Sequence, residues 1–132
     1  MRLPGSILQG ILARAALVLL RIYLGVIFLL AAWPKLTGAS APNGLLGAAL
    51  IPWGELLVGL TLVLGLMTRL SAAVALLLLA NRIYATGSWF WDPSSNDTAF
   101  AITAVALLIG AAGRTFGLDG LLARRWPRAP FW

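Results

Sequence analysis

The sequence predicts an all-α integral membrane protein, a four-helix bundle, and three observations carry that expectation. Four apolar runs, at 15–32, 51–68, 70–86 and 98–112, hold very few charges. A bilayer core asks for about 20 mostly apolar residues per helix, with shorter spans tolerated where the bilayer thins or neighbouring helices support them. Hydrophobic residues make up 61% of the chain and charged residues 11%, and the mean hydropathy is +0.92; soluble domains carry roughly 25% charged residues. Finally, 132 residues are too few for a soluble fold to hide so much apolar surface, because small proteins bury too little of their area.

Span one is expected over 12–33. It is too long for a secretory h-region, and Pro42 would fall just after the small-residue site Ala39-Ser40-Ala41, so it reads as a retained helix. The segment that follows holds Gly38, Pro42, Asn43, Gly44 and Gly47, then apolar residues up to Pro52. Proline disfavours helix at the residue before it and is tolerated in a first turn. Residues 45–51 therefore read as a short half-helix or re-entrant segment, and span two is expected over 51–68. Span three, 70–87, follows a turn at Arg69. The connector GSWFWDPSSN leads to span four, 97–113, where Asn96, Asp97 or Thr98 can cap the helix. A basic tail, 114–132, completes one membrane domain.

The net charge is +6, and most of it falls on Arg2, Arg14, Arg69, Arg114, Arg124, Arg125 and Arg128. Lys35, Asp92 and Asp97 fall on the other side. The positive-inside rule then puts both termini in the cytoplasm of a multi-pass protein of the plasma (bacterial or archaeal inner) membrane. The basic balance implies membrane lipids as partners, not nucleic acid. Trp33, Trp53, Trp89 and Trp91 form the outer half of an aromatic belt, and Trp126 marks the cytoplasmic level. Cys and His are both absent, so no disulfide, iron–sulfur cluster, haem or protein-ligated metal is expected. No GxSxG or phosphate-binding glycine loop occurs.

Charges within spans are costly and usually face a bundle interior. Arg21 has two readings: it snorkels toward inner-leaflet phosphates, or it faces a cavity and holds a quinone carbonyl or lipid headgroup. Glu55, near the outer end of span two, needs a cationic partner to stay charged. Helical rise from Arg69 brings Arg82 about 20 Å up, to the level of Glu55. A Glu55–Arg82 pair is expected, with Asn81 on another part of the same helix; it either fixes helix register or shapes an outer polar pocket. Tyr23, Trp33 and Trp53 are expected to supply flat apolar walls. Ala72, Ala73 and Ala75, with Ala99, Ala101, Ala104 and Ala106, offer close-packing faces, whereas Gly54 and Gly59 are five apart and form no GxxxG face.

The order Arg21-Ile22-Tyr23-Leu24-Gly25-Val26-Ile27-Phe28, Trp33-Pro34-Lys35-Leu36, Gly54-Glu55-Leu56-Leu57-Val58-Gly59, Leu64-Gly65-Leu66-Met67-Thr68-Arg69, Asn81 and Phe116-Gly117-Leu118-Asp119 resembles the DoxX family of small four-helix membrane proteins. The chain departs from the family pattern at Pro34, where glycine is common, and at Phe116-Gly117, where Tyr-Ser is common. By motif, Arg21, Lys35, Glu55, Arg69, Asn81 and Asp119 are the family-like polar positions. The resemblance implies a membrane subunit of a redox assembly, as in the small subunit of thiosulfate:quinone oxidoreductase, with a non-covalently held quinone as its cofactor. The expected function is a quinone- or lipid-facing subunit that anchors or connects a redox partner and has no redox centre of its own. Two alternatives stand beside it: a purely structural accessory subunit of a respiratory or photosynthetic membrane complex, and a small oligomeric transporter or channel.

Overall fold

The computed structural model describes residues 4–38, 50–89, 91–110, 117–126 and 128, which form five α-helices and no strand: α1 (Pro4–Leu36), α2 (Leu50–Leu64), α3 (Thr68–Thr86), α4 (Asp97–Gly110) and α5 (Leu118–Arg125). The first four pack in a ring, α1 on α2, α2 on α3, α3 on α4 and α4 back on α1. α1 is the described helix long and apolar enough to cross a membrane by itself, while α2 and α4 are shorter apolar helices.

The core is narrow. Leu24, Phe28, Leu62, Ala75, Leu79, Ala104 and Leu107 point inward. Leu19, Leu30, Leu57, Leu77 and Ile109 stand outward, each more than 60% exposed. Water would punish such an apolar exterior, whereas lipid accepts it without cost.

α1 and α2 meet through glycine. A Cβ on Gly59 would lie 2.8 Å from the Gly25 carbonyl oxygen, and a Cβ on Gly25 would lie 2.9 Å from that of Gly59. No spacing within one helix reveals this contact, because its two halves sit on different helices. On the other side Ala72, Ala75, Ala101 and Ala104 are buried, as expected of close-packing faces, while Ala73 and Ala99 are exposed.

α1 runs through Pro34 instead of ending at Trp33. A proline so near the C-terminus costs one backbone bond, and the Thr37 amide and hydroxyl both donate to the Trp33 carbonyl, at 3.1 and 3.0 Å. The α2–α3 turn comes earlier than Arg69: Gly65 (φ 67°) and Met67 (φ 48°) take left-handed backbone, and Arg69 lies in the first turn of α3. Leu50 and Ile51 belong to α2, with Pro52 in its first turn; the rest of the expected half-helix, 45–49, lies outside the described residues. α4 begins at Asp97, where the Asn96 carbonyl accepts the Phe100 amide. In the connector before it, the Ser94 hydroxyl and amide donate to Asp92 and hold its carboxyl below the usual carboxylate range. The tail contains α5.

Candidate functional site

Four charges, one from each of α1 to α4, gather at the end of the bundle where α1 and α3 finish. Lys35, in the last turn of α1, donates from Nζ to both Glu55 carboxylate oxygens, at 2.5 and 2.7 Å. The two side chains are 19% and 7% exposed. Arg82 on α3 places Nε 3.4 Å from Oδ1 of Asp97, the first residue of α4; the Asp97 side chain is 4% exposed and that of Arg82 is 51% exposed.

Beside these residues opens a pocket of about 390 Å³. Lys35, Glu55, Asn81, Arg82 and Thr86 supply its polar groups, and Ala31, Pro34, Ile51, Leu78 and Ala85 its apolar wall. Two cations and two carboxylates cancel. The cavity therefore offers hydrogen-bonding groups from charge-paired residues beside an aliphatic surface, which suits an uncharged polar head on an apolar body.

The expected Glu55–Arg82 pair does not form. Helical rise places both residues at one level, and both line the pocket, but Lys35 takes Glu55 and Asp97 takes Arg82. Helix that continues past Pro34 places Lys35 in the last turn of α1, within hydrogen-bonding reach of Glu55. Asn81, buried at 9% exposure, shares the pocket with Arg82 instead of facing elsewhere. Tyr23, Trp33 and Trp53 are not its walls: they are 53%, 69% and 57% exposed. The Tyr23 ring instead meets Phe100, with centroids 6.3 Å apart and planes tilted by 52°.

Arg21 does not join this group. It precedes Lys35 by 14 positions on one helix, so it sits about 21 Å away at the helical rise of 1.5 Å per residue. It is 2% exposed and neither snorkels nor lines the pocket. A Cβ on Gly65 would lie 2.6 Å from its Nη1, so the guanidinium sits beneath the α2–α3 turn, with Asp119 as the opposite charge it faces.

Asp119 is fully buried and closes this second end. Its carboxylate accepts the amides of Met67 and of Thr68, the latter at 2.7 Å, and its own amide donates to the Gly65 carbonyl at 2.8 Å. The N-terminus of α3 has no side-chain cap of its own; a carboxylate some fifty residues later supplies one, where the helix dipole favours negative charge. The motif match alone flagged Asp119, and no local signal showed what it caps.

Residues 16–88 match the family model described as DoxX. No curated protein matches the chain, and no solved structure matches it.

Proposed function

The chain belongs to the DoxX family, and from that premise we propose that this small membrane protein is a quinone- or lipid-facing subunit of a larger redox complex, anchoring or connecting a partner that carries the electron centres. The observation that carries the reading is the charge-neutral pocket beside Lys35–Glu55 and Arg82–Asp97. A quinone head needs donors at its carbonyl oxygens and apolar contact for its ring. Arg82, half exposed and engaged through Nε, keeps donors for such a carbonyl. The Asn81 amide adds a second polar group, and Ile51 and Leu78 face the ring.

In this reading α1 to α4 cross the inner membrane and both termini lie in the cytoplasm. Eight of the ten basic residues then fall on the cytoplasmic side, and three of the four acidic ones on the other. The pocket opens near the outer leaflet, at the end of the bundle that also carries the exposed Trp33, Trp53 and Trp89. The chain has no Cys or His, the usual residues for holding a redox centre, so the electron carriers belong to the partner.

Gentle extraction of the full chain from its membrane, followed by identification of the retained proteins and small molecules, tests this. We expect a quinone and at least one larger redox protein. Arg82→Gln is expected to reduce quinone retention while the assembly survives. If Arg82→Gln leaves quinone retention unchanged, the pocket reading is wrong; if the assembly falls apart with no separate effect on the quinone, the chain is a structural accessory subunit.

A further inference from the structure

We propose that α5 forms a binding surface for anionic phospholipid headgroups, clasped to the bundle by Asp119. The proposal rests on the Asp119 end alone and does not depend on what the pocket holds.

α5 presents two kinds of group outward. Leu118, Leu121 and Trp126 are 40%, 63% and 60% exposed. Beside them Arg124 and Arg125 occupy the last turn and are exposed, and the Arg125 guanidinium lies 6.0 Å from the centroid of the Trp126 ring. Apolar side chains interleaved with arginines, on a helix at the end of a membrane bundle, match the boundary between headgroups and acyl chains.

Charge then chooses the lipid. Of the four acidic residues in the chain, Glu55, Asp92 and Asp97 lie at the pocket end. The fourth, Asp119, is buried and accepts the Met67 and Thr68 amides at the start of α3. Nothing acidic is left to balance Arg14, Arg124, Arg125 and Arg128, all exposed. Such a surface attracts a phosphodiester that carries a net negative charge and gains much less from a zwitterionic one.

The clasp fixes the geometry. The same Asp119 that caps α3 hydrogen-bonds through its amide to Gly65, which holds α5 at the level of the α2–α3 turn, where transmembrane helices give way to headgroups.

The test uses the full chain reconstituted in vesicles of phosphatidylcholine with a minor share of phosphatidylglycerol, with native mass spectrometry counting the lipids that stay bound. Wild type is expected to retain phosphatidylglycerol well above its share. The Arg124→Gln/Arg125→Gln variant is expected to lose about five-fold of that preference per arginine, and Arg124→Lys/Arg125→Lys to keep it. Raising the salt in the wild-type sample is expected to erode the enrichment, a readout that needs no variant to fold. Equal retention of the two lipids by wild type, an enrichment indifferent to salt, or a loss in the lysine variant as large as in the glutamine variant overturns the proposal.

Discussion

The two ends of the bundle spend their charges differently. At the Asp119 end, one carboxylate caps a helix, faces Arg21 and secures α5, all in a fully buried position. At the pocket end, two ion pairs stand beside a cavity of about 390 Å³, with the Arg82 side chain half exposed. The first network ties chain segments together; the second leaves an arginine half exposed beside an open cavity. The contrast separates two arginines, Arg21 and Arg82, that look equivalent in sequence as buried cations of apolar spans.

Asp119→Ala tests the closed end most severely. It removes the acceptor of the Met67 and Thr68 amides and an opposite charge near the buried Arg21. Breaking a buried charge network this way costs about 3–5 kcal/mol, expected as a large drop in the unfolding midpoint in detergent; a loss below a tenth of that would erase the distinction between the ends.

Between the ends, Gly59→Val drives a side chain into the Gly25 backbone, where the nearest atom would be 2.8 Å away. Overpacking of this kind costs about 1–3 kcal/mol. The same variant is expected to separate α1 from α2 in cross-linking, whereas Gly10→Val, with nothing within 4 Å of its Cβ position, stays like wild type.

Glu55→Gln strips Lys35 of a charged acceptor at 19% exposure, and a cost of about 1–3 kcal/mol follows. Pairing it with Lys35→Met is expected to recover most of that stability but not ligand retention. If stability and ligand retention return together, the pair serves only to hold the fold.

Arg82→Gln removes a half-exposed cation from a buried carboxylate that the α4 N-terminus still favours, so a cost of about 1 kcal/mol is expected, and it is the most telling for function. Unfolding should barely move while quinone retention falls. A small stability change with a large ligand loss here, against a large stability change for Asp119→Ala, is what the contrast between the ends requires.

Much of this architecture is legible in the chain. Apolar runs place the helices, helical rise brings Glu55 and Arg82 to one level, and the bunching of arginines distinguishes the ends. Less legible are the α1 C-terminus, where Pro34 argues for a stop that the Thr37 bonds make unnecessary, and the pairing of the charges. Lys35, flagged only by the family motif and placed just past span one, and Asp97, read as a candidate helix cap, turn out to hold Glu55 and Arg82. The Gly25–Gly59 contact was hidden because each glycine is unremarkable within its own helix.

Composition and the length of the apolar runs determined that this protein is helical and suited to lipid, which accepts apolar surface that water would punish. Tertiary structure decided which ions meet, which glycines touch and where Asp119 reaches. The reason is rotational. A helix that is apolar on nearly every side can turn about its axis without exposing anything costly to lipid, so its sequence leaves the inward face open, and only the packed neighbours choose it.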